Sequence, residues 1–157
     1  MPVVVPAVPG MLHETTREWA GAHDAAVYDL EPDAEAYWRL LAREWAEPGD
    51  LVIVEHDMLP ADGVTEAMAA CPRPWCSSPY RIEHSWLVDG LGCVKLAGRL
   101  KQQHPDLMIR LGELADDGAP PRDWHRLDTR VSRLLRDLGY RPHAHRRSQH
   151  LHDYSKR

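Results

Sequence analysis

The chain opens on a short apolar run, Val3-Val4-Val5-Pro6-Ala7-Val8, that stops at Pro9-Gly10. Such a run between turn residues predicts a strand buried on both faces. Thr15 or Thr16 is placed to cap a short helix through Trp19, with Glu18 in its first turn. Ala25-Ala26-Val27-Tyr28 predicts a second strand, ended by Asp29. From Pro32-Asp33 the period changes. Tyr37, Trp38, Leu41 and Trp45 share one helical stripe, Arg39, Arg43, Glu44 and Glu47 lie away from it, and Pro48-Gly49-Asp50 closes the helix. Leu51-Val52-Ile53-Val54 then places four apolar residues between turn signals, the pattern of a central strand. Strand, helix, strand, helix, strand implies a Rossmann-like, mostly parallel sheet flanked by helices, connected with right-handed crossovers.

The second half is less regular. Val64 to Ala70 predicts a short helix, Pro72 to Pro79 a turn-rich stretch with an edge strand, and Leu91 to Gln103 a helix with Leu91, Val94, Ala97 and Leu100 on one face. The 112–121 stretch reads as a loop. Asp123 caps a helix whose stripe is Trp124, Leu127, Val131, Leu134, Leu135 and Leu138, and Gly139 ends it. The tail from Arg141 is polar and rich in histidine. With no internal repeat and 157 residues, the expectation is one α/β domain over 1–157.

Charge adds an asymmetry. Residues 1–79 carry 14 acids and 4 bases, residues 80–157 carry 10 acids and 15 bases. A polyanion, such as a phosphorylated substrate or nucleic acid, would meet the second half. No apolar run approaches the roughly 20 residues that span a bilayer. Met1-Pro2-Val3-Val4-Val5 lacks the basic start and cleavage site of a signal peptide, so the expected location is cytoplasmic. Cys71, Cys76 and Cys93 are odd in number and form neither a disulfide framework nor a four-cysteine zinc site; they read as free thiols in a reducing compartment.

The chemistry concentrates at Glu55-His56-Asp57. These residues follow the central strand directly, at the edge where open parallel sheets bind ligands. Carboxylates two residues apart on extended chain point to one side and can share a hard cation, magnesium or manganese. Capping the next turn, or pairing with Lys or Arg, is the structural alternative. A third donor is available from the tail, where His143, His145, His150 and His152 fall within ten residues. The alternative there is a solvated basic tail.

The segment Leu51-Val52-Ile53-Val54-Glu55-His56-Asp57-Met58-Leu59-Pro60 resembles the strand and acidic motif of GT-A glycosyltransferases. There a hydrophobic strand ends in Asp-x-Asp or a related acidic triplet that binds a metal, and the metal holds the diphosphate of a nucleotide sugar. The resemblance covers the first 60 residues and, more loosely, the tail. It implies a minimal GT-A-like domain with Mn2+ or Mg2+ held by Glu55, Asp57 and a tail histidine, His150 or His152. It also implies a nucleoside pocket lined by Pro6, Ala7 and Val8, with Asp29 against base or ribose and Glu55 beside the nucleotide. An inverting enzyme needs a carboxylate to take the acceptor's proton. Asp89, before a glycine-bearing loop, is the first candidate and Glu83 the second; a helix cap is the alternative role for Asp89. Glu55 departs from the commoner first Asp and lengthens one ligand. The chain is short for the family, so the acceptor half would be minimal or come from another subunit, and a homodimer is compatible with that.

The implied partners are a nucleotide-sugar donor and an acceptor of unspecified class, a modified base in DNA among them. Two other readings stay open: a metal-dependent phosphohydrolase or nuclease, in which the same donors activate water, and a nonenzymatic nucleotide-binding or assembly protein on the same fold. Gly90-Leu91-Gly92 alone is a weak phosphate-binding signal, and Lys95 or Arg99 after it could contact phosphate.

Overall fold

The computed structural model describes residues 2–8, 10–115 and 118–151. In chain order these form β1 (Val3–Ala7), α1 (Glu14–Ala22), β2 (Ala26–Asp29), α2 (Ala36–Ala46), β3 (Leu51–Val54), β4 (Met58–Leu59), α3 (Val64–Ala70), β5 (Trp75–Ser77), β6 (Tyr80–Ile82), β7 (Ser85–Leu87), β8 (Cys93–Leu96), α4 (Gly98–Gln103), α5 (Leu107–Glu113), α6 (Leu127–Asp137), β9 (His143–Ala144) and β10 (Gln149–His150). A single 3-10 turn, Trp124–Arg126, leads into α6.

Six strands make the central sheet, in the order β2-β1-β3-β8-β5-β9. Neighbours run parallel except where β8 lies antiparallel between β3 and β5. The sheet is therefore mostly parallel, with helices on both faces, as the alternation of the first 57 residues implies. The strand period sorts side chains to two cores. Val4, Leu51 and Ile53 face the cluster built with Tyr37, Leu41 and Trp45 of α2, Leu107 and Leu111 of α5, and Val131 and Leu135 of α6. Val5, Val52 and Val54 face the other cluster, with Ala20 of α1 and Val64 and Met68 of α3.

The helix expected over Leu91 to Gln103 is instead strand β8 followed by α4. Leu91, Val94, Ala97 and Leu100 do recur every three residues, but both faces of Cys93–Leu96 are buried, so the strand carries no alternation to betray it. Lys95 reads as the polar side of a helix. In the fold it is 1% exposed, and its Nζ donates to the Cys71 carbonyl (2.5 Å) and lies 3.7 Å from Asp50. Arg99 donates to the Pro72 carbonyl. Those bonds place both cations on the polar ties of β5 and α3, apart from the carboxylate pocket described below.

Other boundaries differ for local reasons. His13, not Thr15 or Thr16, caps α1: its ring nitrogen accepts from the Thr15 amide, while Thr16 is buried and donates to the Met58 carbonyl at 2.9 Å. The strand within Pro72–Pro79 is β5, and it lies one place in from the edge because β9 pairs outside it. Helix α5 takes the first two residues of the 112–121 stretch. Asp123 does accept from the His125 amide at the start of the late helix, and Gly139 sits at φ 87° just past its end.

A buried cation ties α4 to the end of α2. Lys101 Nζ donates to the carbonyls of Glu44 (2.8 Å) and Glu47 (2.6 Å), satisfying the end of α2. Lys101→Met keeps the buried stem and removes both bonds. It should cost about 2 kcal/mol, read as a shift in urea midpoint with an unchanged slope.

Candidate functional site

Glu55, His56 and Asp57 occupy the tight turn between β3 and β4, closed by the Met58 amide donating to the Glu55 carbonyl (3.1 Å). The Glu55 amide donates to the Gly92 carbonyl (2.8 Å), which fixes the turn against the loop before β8. The turn opens into a cavity of about 360 Å³ at the carboxyl ends of β1 and β3. Glu55 and Asp57 both line it, with Pro6, Val8, Tyr80 and Asp128. That volume lies in the range of small-ligand sites.

The partners of the two carboxylates differ. The Tyr37 hydroxyl, from α2, donates to Glu55 Oε1 at 3.2 Å. Asp57 Oδ2 lies 3.1 Å from His150 Nε2, and both side chains are largely buried. The tail is delivered there by backbone pairing: β10 lies antiparallel to β4, and the Leu151 amide donates to the Asp57 carbonyl at 2.7 Å. The His150 ring also stacks on Tyr80, with centroids 5.7 Å apart. The chain does fold back far enough to bring a tail histidine to the acidic turn. His152, the other candidate, lies outside the described residues.

Asp128, in the first turn of α6, is the third carboxylate of the cavity and was not among the expected site residues. A signal for it exists in the sequence. Asp128 is four residues after Trp124, three before Val131 and seven before Leu135, so it sits on the apolar stripe, where a carboxylate is costly without a purpose.

The electrostatics follow from that crowding. Burial raises the Glu55 carboxyl well above the usual range, the charges of Asp128 and Asp57 add to this, and the Tyr37 hydrogen bond opposes it. Burial also pushes Asp128 up to about 6, against the Leu91 amide that bonds it. Asp57 goes the other way: burial would raise it, but the hydrogen bond and charge of His150, with His56, hold it below the ordinary value. Among the described residues that line the cavity there is no Lys or Arg. Three acids beside histidines and two tyrosines make an oxygen-rich donor set short of positive charge. Oxygen donors short of positive charge are the kind that hard divalent cations take, but among the described residues no three of these acid and histidine ligand atoms gather within 4.8 Å of one another.

Pro6 and Val8 line the cavity, and Ala7 between them is buried away from it, as strand alternation requires. Asp29 ends β2 beside Ala7 and is exposed, on a shallow surface with Arg39 and Arg43. Asp89 is held by Arg136, with contacts of 2.9 and 2.5 Å, and its carbonyl accepts from Ser132. Glu83 is exposed in the turn between β6 and β7, at φ 50°. Neither Asp89 nor Glu83 is among the residues lining the cavity. Gly90 and Gly92 hug an aromatic ring: a Cβ on either would come within 2.6 Å of Tyr80.

No protein-family model matches the sequence, and no curated protein matches it. Solved structures do match its fold. A197 from STIV superposes with a TM-score of 0.53 at 13% identity, over 98% of this chain and 87% of that one. A glycosyltransferase involved in the glycosylation of the major capsid of PBCV-1 superposes with a TM-score of 0.51 at 10% identity, over 93% of this chain and 82% of that one. The chain thus has a glycosyltransferase-like α/β fold. No helix of the described residues is long and apolar enough to cross a membrane.

Proposed function

We propose that this chain is a small metal-dependent glycosyltransferase that moves a sugar from a nucleoside-diphosphate sugar to an acceptor. The observation that carries the reading is the meeting of Glu55 and Asp57, from the end of β3, with His150, from the tail, in one cavity at the carboxyl edge of the sheet. The glycosyltransferase-like fold adds to it.

In this reading Glu55, Asp57 and His150 hold the divalent cation, Mn2+ or Mg2+. When bound, that cation supplies Lewis-acid neutralisation of the leaving diphosphate. Pro6 and Val8 offer an apolar wall for the nucleoside, and the stacked Tyr80 and His150 rings fix the tail over the site. Tyr37, donating to Glu55, orients that carboxylate. Asp29 remains the residue for base or ribose, at the neighbouring strand end. If the reaction inverts the sugar, a carboxylate must take the acceptor's proton. Asp89 is engaged by Arg136 and neither it nor Glu83 lines the cavity, so we assign that role to Asp128, which does. The basic second half suits a phosphate-bearing acceptor, DNA included.

The test is thermal denaturation with a panel of nucleoside diphosphates and nucleotide sugars, with and without Mn2+. One nucleoside diphosphate should stabilise the protein only when the metal is present, by about 2–3 kcal/mol at a hundredfold excess over its Kd. Asp57→Ala should abolish that gain. Metal-independent binding would instead support a nonenzymatic nucleotide-binding protein. Phosphoester or nucleic-acid hydrolysis without a sugar donor would support a phosphohydrolase or nuclease.

A further inference from the structure

A second cluster of donors lies away from the carboxylate cavity, on the α3 face near the β9 edge. Cys71 is the residue that ends α3, and His143 and His145 belong to β9 and the residue just past it. Pairing with β5 sets Cys76 opposite His143, and the His145 amide donates to the Ser77 carbonyl at 2.8 Å. The Cys71 sulfur and one ring nitrogen from each histidine all lie within 4.8 Å of one another. The two imidazole rings meet edge to face, with centroids 5.0 Å apart.

Two further observations bear on what this cluster does. The Nε2 atom of His145 is buried and has no hydrogen-bond partner. An imidazole nitrogen sequestered in this way costs free energy unless something binds it. The Cys71 sulfur, for its part, is half-buried, and the neighbouring Cys76 thiol donates to the Arg73 carbonyl at 3.9 Å.

We propose that Cys71, His143 and His145 bind a zinc ion that fastens β9 to the end of α3. One thiolate and two imidazoles are a borderline-soft set, and three protein donors leave a fourth tetrahedral position for water. Ligand atoms around tetrahedral zinc stand roughly 3.3–3.7 Å apart. Rotation of the exposed His143 side chain is the adjustment that would close the cluster to that size. The structural consequence reaches the cavity. β9 is only two residues long, and His150 follows His145 by five residues, so a metal on this strand would anchor the segment that carries His150 to Asp57.

The site is tested on the full chain with cobalt as a spectroscopic stand-in and zinc counted by mass spectrometry after dialysis. About one zinc per chain is expected, with a thiolate-to-cobalt charge-transfer band in the near ultraviolet and the intense visible bands of tetrahedral cobalt. Cys71→Ser should remove the charge-transfer band. His143→Gln, an exposed position that leaves the fold intact, should weaken binding at least about tenfold. Asp57→Ala should leave both signals unchanged, which separates this site from the carboxylate cavity. A wild-type protein without the band would overturn the proposal. So would a band that survives Cys71→Ser, or zinc binding that is lost in Asp57→Ala and retained in His143→Gln.

Discussion

Asp128→Asn should make the protein more stable near neutral pH, raising Tm on the order of 5 °C, and should change little below about pH 4. Asp128 is raised from an ordinary value of 3.8 to about 6 in the fold, chiefly by burial, with the charges of Asp57 and Asp89 adding to it. A carboxyl raised in this way favours the folded state while it is protonated in both states. That contribution is complete below the unfolded value and is lost as pH rises through the folded one. At neutral pH the fold therefore carries an ionised group that it disfavours. Asn removes the charge, and its side-chain oxygen can still accept from the Leu91 amide. Glu55→Gln should act in the same direction, since Glu55 is raised by the same burial and the same neighbours. Asp57 has the opposite sign. It is held low with His150 as its partner, so its contribution is lost as pH falls, and Asp57→Asn should destabilise at neutral pH. Melting curves from about pH 4 to 8 on the three variants would separate these signs. A divalent cation supplies the missing positive charge by another route, so Mn2+ should raise Tm more in the wild type than in Asp128→Asn. An Asp128→Asn protein less stable than wild type at neutral pH would show that the carboxylate is already well compensated.

How much of this could be read from the residues is clearest at Val54 and Val94. The run Leu51-Val52-Ile53-Val54 is bounded by Gly49-Asp50 and Glu55, so both its type and its end are marked, and the acidic turn falls at a sheet edge by construction. Val94 belongs to an equally buried strand, but Lys95 and the Leu91/Ala97/Leu100 spacing imitate a helix. What decides the matter is two antiparallel partners far away in sequence, β3 and β5. The tail shows the same limit. Four histidines announce ligand chemistry, yet their division of labour is set by two-residue strands: β10 pairs with β4 and carries His150 to Asp57, while β9 pairs with β5 and carries His143 and His145 to Cys71. Strands that short carry almost no local signal. Asp89 drew notice from its glycine-bearing loop, whereas Asp128, on an apolar stripe, is the acid that the cavity receives.

Gly92→Ala should disable the cavity without touching a carboxylate. A Cβ at Gly92 would meet the Tyr80 ring at 2.6 to 2.9 Å, closer than a real contact allows. Tyr80 is 2% exposed and has little room to yield, and the Gly92 carbonyl is itself the acceptor for the Glu55 amide. The strain therefore passes in two directions: through Tyr80 to the stacked His150, and through the backbone to the acidic turn. Overpacking of this kind costs about 1–3 kcal/mol, and the upper end is expected because the contact is a buried ring rather than a flexible tip. Metal-dependent nucleotide binding should fall at least about tenfold, since a misplacement on the order of 1 Å near a site costs that much or more. Pairing the change with Tyr80→Leu, which removes the offending ring edge, should recover most of the stability and little of the binding, because His150 then has no ring to stack on. If Gly92→Ala binds as wild type does, the Tyr80–His150 stack plays no part in holding the tail over the site.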